Sequence, residues 1–175
     1  MNGQQQQPIS DGGTDASRSG SNAFLLTTGQ PGLLGLSDGS ISTIAPVFAA
    51  ALSTGSSHVA LLVGLSAAIG AAISMAVSEA LSDNGELTGR GAPWRRGLIT
   101  GAGTLLGGSM HSLPFLIPQF RVALTVAIVV VAVELVAIAW VRWRFFPSVS
   151  VSSSLVQVTV AGALVFAVGL FLGSS

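Results

Sequence analysis

Glu79 and Glu134 are acids set inside runs apolar enough to cross a bilayer, and Asp38 stands near the start of a third such run. A carboxylate in that setting is expensive, about 2.5–3.5 kcal/mol even on the milder insertion scales, so it marks an ion site, a proton route or a buried pair. Asp38 lies among hydroxyls in Ser37-Asp38-Gly39-Ser40-Ile41-Ser42-Thr43. That grouping suits a hard divalent cation, and it equally suits the cap of a helix that starts late. Met75 and Glu79 are four residues apart and share one helical face with Ala67 and Ala71. A thioether beside a carboxylate fits a first-row transition metal better than Mg²⁺ or Ca²⁺. The competing reading makes Met75 ordinary packing and lets Glu79 reach the nearby interface.

His111 precedes Ser112-Leu113-Pro114. An imidazole there can ligate a late first-row metal, carry a proton, or bond a carbonyl freed by the proline. Glu134 is the deepest acid, in Val131-Ala132-Val133-Glu134-Leu135-Val136, with no basic residue near it on its own span. It is protonated, paired with another helix, or part of a proton route. His58 reads as a loop residue near one mouth, and Glu86 as a solvated loop charge beside Asp83.

These side chains need helices to hold them, and the composition says in what solvent. Half of the 175 residues are hydrophobic and 8% are charged, with a mean hydropathy of +0.73. A water-facing domain carries about 25% charged residues. Five stretches reach the roughly 20 apolar residues that a spanning helix needs: about 33–54, 58–81, 97–117, 122–143 and 154–172. The expected fold is therefore an all-α integral membrane protein with five transmembrane helices in residues 31–175, after a polar, disordered tail over 1–30. That tail lacks the basic start and apolar run of a signal peptide.

Gly35 with Gly39, and Gly103 with Gly107 and His111, form i, i+4 rows that mark close helix packing in lipid. Arg90, Arg95, Arg96, Arg142 and Arg144 fall in loops on one side, and Arg121 on the other. The positive-inside rule then puts the amino terminus in the cytoplasm and the carboxyl terminus outside. The absence of cysteine excludes disulfides and thiolate metal sites. A net charge near zero argues against nucleic acid. No phosphate loop and no nucleophile–base set is present, so neither ATP-driven pumping nor an enzyme is expected. The lack of Lys and Tyr hints at a bacterial inner membrane.

The entry Ser37-Asp38-Gly39-Ser40-Ile41-Ser42-Thr43, followed by Gly64, Ser74-Met75-Ala76 and Glu79, resembles the first two helices of the vacuolar iron transporter family. The run from Glu79 through Asp83 to Leu87-Thr88-Gly89-Arg90-Gly91-Ala92-Pro93-Trp94-Arg95-Arg96-Gly97 is similar to the transporter domain of membrane-bound ferritin proteins. Gly107-Gly108, His111-Ser112-Leu113-Pro114 and Val133-Glu134-Leu135 agree with it. The resemblance implies a five-helix protomer that forms a homodimer, with Fe²⁺ or Mn²⁺ as transported substrate moving out of the cytoplasm in exchange for protons. It implies Asp38, Met75 and Glu79 as pathway ligands and no resident cofactor. The chain departs from that pattern in two ways. It has no glutamate-rich cytoplasmic domain between spans two and three, and no ferritin-like module. The competing expectation is a membrane anchor for a separate, soluble ferritin-like partner.

Overall fold

A computed structural model of the chain describes residues 20, 23–86, 88–145 and 150–174, which are helical with no strand among them. A π-helical turn, Leu25–Gly29, runs into α1 (Gln30–Ser42), and α2 (Ile44–Thr54) follows after a single break at Thr43. The break has a local cause. Pro46 has no N–H for the Ser42 carbonyl and its ring crowds that position, so the helix re-forms only beyond Thr43. The run Leu25–Thr54 begins ahead of the expected Leu33 and takes in residues 25–30 of the stretch read as tail. The rest of that tail, residues 1–19, 21 and 22, lies outside the described residues.

Gly55 closes α2 in the left-handed region (φ 62°), its N–H donating to the Ala51 carbonyl. Ser56 then caps α3 (Ser57–Ser82) by accepting from the Val59 N–H. Residues 83–92 connect to α4 (Pro93–Met110), a 3₁₀ turn (Leu113–Leu116) follows, and α5 (Phe120–Phe145) and α6 (Val151–Ser174) complete the chain.

Among the described residues, four helical runs are long and apolar enough to cross a membrane: Leu25–Thr54, Ser57–Ser82, Phe120–Arg144 and Leu155–Ser174. The expected third span, 97–117, is not among them. Its helix carries Arg95 and Arg96 in the first turn, is rich in glycine, and stops at Met110. Pro114 explains the stop, because it cannot donate to the Met110 carbonyl. The low hydropathy of α4 follows from its place in the bundle: it lies between α1 and α3 and meets them through backbone instead of large side chains. A Cβ on Gly35 would run into the Thr100 carbonyl, and one on Gly39 into the Thr104 carbonyl. Only glycine lets α1 and α4 approach this closely.

The second half of the bundle is more conventional. α6 packs on α2 and α5. Ile44, Val47, Phe48, Ala51, Phe115 and Ala127 form a buried core. Within it, Phe48 meets Phe166 edge-on at 4.8 Å. Leu62, Ile69, Ile73 and Val77 on α3 and Val129, Val133 and Val136 on α5 face outward, as a lipid solvent allows and water does not.

Candidate ion-handling site

The break at Thr43 places a hydroxyl in the middle of the bundle, where α1, α4 and α5 meet. Thr43 Oγ1 lies 2.9 Å from His111 Nε2, and His111 Nδ1 lies 2.9 Å from Glu134 Oε2. Thr43, His111 and Glu134 are all buried, the histidine completely. His111 stands immediately beyond the end of α4, freed from helical geometry by the approach to Pro114, and its ring spans the gap between the first and fifth helices. Three segments far apart in sequence thus contribute one polar line inside an apolar core.

Hydrogen counting limits the arrangements that line can take. Thr43 has one hydroxyl hydrogen, and the Gly39 carbonyl is its nearest acceptor at 2.8 Å, with the Gly108 carbonyl at 3.3 Å. A hydroxyl that donates there can only accept from His111 Nε2–H. Nδ1 must then either accept from a protonated Glu134 or, as imidazolium, donate to its carboxylate. Both arrangements are electrically neutral and hold one proton more than neutral imidazole plus carboxylate. The alternative, with Thr43 donating to Nε2, leaves a net negative charge in apolar surroundings, the costlier state. In every arrangement His111 links Thr43 to Glu134 in one buried hydrogen-bonded line.

The pair is incompletely satisfied. Glu134 Oε1 is buried with no hydrogen-bond partner, and so is the Ser40 hydroxyl one helix away. With both ring nitrogens engaged, His111 offers no lone pair to a metal in this arrangement. The ring links Thr43 and Glu134.

A second polar cluster sits at the opposite end of α3. Glu79 Oε1 accepts from Arg96 Nε at 2.9 Å and from an Arg90 terminal nitrogen at 2.8 Å. Arg96, 1% exposed, also donates to the Gly91 and Asp83 carbonyls, and its guanidinium stands 3.3 Å from the Asp83 carboxylate. Arg90 reaches the same carboxylate at 3.0 Å. Partial removal from water pushes the Asp83 carboxyl up, but the Thr88 hydroxyl, the Gly85 N–H and the two guanidinium groups outweigh it and hold that group below its ordinary 3.8. Glu86 is bonded to Asn84 in the exposed loop, and His58 is exposed at the far end of α3.

The expected ligand set is thus dispersed. Glu79 is a salt-bridge acceptor for two arginines, and Met75 is partly buried on α3. Asp38 is half-buried on α1 with no hydrogen bond or ion pair to a described residue. Among the described residues no three His, Asp or Glu side chains converge to hold a metal. The two clusters are also well separated: Gly108 packs against Ala68, and from there to Glu79 is about 16 Å of helix. Sequence reasoning did not single out Thr43, Ser40 or Arg96. For Thr43 a signal was present, since Pro46 three residues on marks a break that frees a hydroxyl. No family model, no curated protein and no solved structure matches the chain.

Proposed function

We propose that this chain is a proton-coupled membrane transporter that exports a divalent transition metal, Fe²⁺ or Mn²⁺, from the cytoplasm. The observation that carries this reading is the buried His111–Glu134 pair, joined at 2.9 Å between the end of α4 and α5, with one carboxylate oxygen left without a partner. Buried His and carboxylate groups at such depth are costly and serve ion or proton pathways by default. The metal cargo comes from the family resemblance, as do homodimer formation and the inner-membrane setting. In this reading α4 is the fifth crossing, packed on α1 and α3 with Leu98, Leu105 and Leu106 facing outward, and the arginine-rich loops are cytoplasmic. Asp38, half-buried with no hydrogen bond or ion pair to a described residue, and Met75 are the residues that would meet the metal. Protons returning through Glu134 would drive release.

The test is Fe²⁺ and Mn²⁺ uptake into proteoliposomes with a trapped pH dye. Wild type should move metal with opposite proton flow, Asp38→Ala should lose metal flux at least tenfold, and Glu134→Gln should lose the coupled proton movement. A second reading, a membrane anchor for a soluble iron-binding partner, is favoured by the way Glu79 is locked in an ion-pair cluster. Absence of flux from well-folded protein, with co-purification of such a partner, would decide for it.

A further inference from the structure

At the end of α5 that carries Arg142 and Arg144, the π-helical turn, α1 and α5 leave a crevice of about 180 Å³ between them. Phe24, Leu25, Leu36 and Val141 wall it, and Gly29 and Gly32 open it by adding no side chain. Phe24 is 59% exposed, so the crevice gives onto the outer surface of the bundle. It is smaller than the roughly 300–1,000 Å³ of a drug-sized pocket and its walls are apolar, which suits a flexible hydrocarbon chain and not a polar molecule. Its position is at the membrane boundary. The π-helical turn packs against Gly91 through Thr27, and the Gly91 carbonyl accepts from Arg96. On α5, Trp140 and Trp143 are 57% and 43% exposed beside it, and outward-facing indoles favour the headgroup level.

Charge complementarity names the occupant. Val141 in the crevice wall is followed at once by Arg142, and Arg144 stands three residues on, on the same side of α5 as Val141. Arg142 makes no hydrogen bond or ion pair with a described residue, and Arg144 is exposed. Arg90 and Arg96 at this end are already matched by Glu79 and Asp83. Of the other charged side chains described there, Arg95, Arg142 and Arg144 are cationic and Glu86 alone is acidic. Along α5 the nearest acid to Arg142 is Glu134, about 12 Å of helix away and facing His111. The excess is positive, and it adjoins an apolar slot at headgroup depth. A zwitterionic lipid would bring its own cation to two guanidinium groups, and a lipid with a net negative head does not.

We propose that this crevice seats one acyl chain of an anionic phospholipid, with the lipid phosphate held by the Arg142 and Arg144 guanidinium groups at its rim. Arginine suits the task because its planar fork of N–H donors matches phosphate oxygens. The slot fixes the chain beside that fork, which distinguishes a lipid from a free anion. Basic pockets between membrane helices bind acidic headgroups on the same grounds. The site needs only that the Leu25–Thr54 and Phe120–Arg144 runs lie in a bilayer. It depends neither on the metal cargo nor on which way the chain faces, so its failure and a failure of transport are separate results.

The experiment is tryptophan quenching of the purified full chain in mixed vesicles, with dibrominated dioleoylphosphatidylglycerol set against dibrominated dioleoylphosphatidylcholine. The chain has three tryptophans and no tyrosine, so Trp94→Phe leaves only Trp140 and Trp143, the two beside the site, as reporters. In that background the anionic lipid should be preferred at least about fivefold, the ratio that corresponds to about 1 kcal/mol for a basic residue near anionic lipid. Arg142→Gln combined with Arg144→Gln should abolish the preference, while Arg121→Gln at the other end of α5 should leave it unchanged. Val141→Phe narrows the slot and alters no charge, and it should lower the preference as well. An unchanged preference in Val141→Phe would reduce the effect to diffuse surface attraction and overturn the proposal. So would equal quenching by the two lipids before any arginine is replaced, a preference that survives loss of both arginines, or displacement of the anionic lipid by inorganic phosphate at constant ionic strength.

Discussion

At the scale of single residues, the decisive distinction is between charges that are locked and charges that are poised. Arg96 is locked: fully buried, it faces Glu79, Asp83 and two backbone carbonyls. Arg96→Met leaves Glu79 buried with one remaining partner and should destabilise the fold by about 3–5 kcal/mol, the range for breaking a buried pair. Arg90→Met should cost less, because that guanidinium is 24% exposed and water can replace it. Chemical denaturation of the two variants in one detergent checks the order. Asp83 adds a pH dependence of defined sign. Its folded-state pKa is depressed, so its contribution is fully present above the ordinary carboxylate range and is lost as pH falls through the depressed value. Unfolding midpoints should therefore drop on acidification below about pH 4, and Asp83→Asn should flatten that limb.

At the scale of elements, the close pairing of α1 with α4 is the feature most sensitive to a single methyl group. Gly39→Ala puts a Cβ against the Thr104 carbonyl and should cost about 1–3 kcal/mol, as overpacking does. Gly70→Ala on α3 meets nothing within 4 Å. It should be neutral or gain up to about 1 kcal/mol from helix propensity. Thermal unfolding of the pair separates packing from propensity. The small-residue rows were legible in the sequence because their spacing repeats every helical turn: Gly35 with Gly39, and Gly103 with Gly107, do face a neighbouring helix. The partners of the buried charges were not. Arg90 and Arg96 were countable as loop charges, but nothing local says that they fold back onto Glu79. His111 and Glu134 were each recognisable as costly, yet their pairing depends on the helix ending at Met110, which turns on where Pro114 acts.

At the scale of the whole molecule, the number of crossings is the open quantity that a direct experiment fixes. Four helical runs are apolar enough to span by composition, and α4 sits among them without being so itself. If α4 crosses, residues 83–92 and 117–119 lie on opposite faces of the membrane. The chain has no cysteine, so Asn84→Cys and Gln119→Cys each give a single thiol on an unlabelled background. An impermeant maleimide applied from outside sealed cells should label Gln119→Cys and spare Asn84→Cys. Labelling of both from one side would remove α4 from the list of crossings, and with it the amino-inside, carboxyl-outside arrangement. All-helical architecture and the apolar outward faces were readable from composition alone. What composition hid was α4, whose faces toward α1 and α3 are built of glycine and other small residues.

The clamp at the end of α3 has a use for protein engineering. Asp83 and Arg90 are joined at 3.0 Å, and the Gly89 N–H donates to the Gly85 carbonyl, so two points on the connection between α3 and α4 are held close together. A compact soluble domain whose own termini lie close together can be spliced into this connection between Asp83 and Arg90. Such a fusion would give this small, lipid-embedded chain a rigid handle for imaging or capture, on the side of the membrane where its arginines gather.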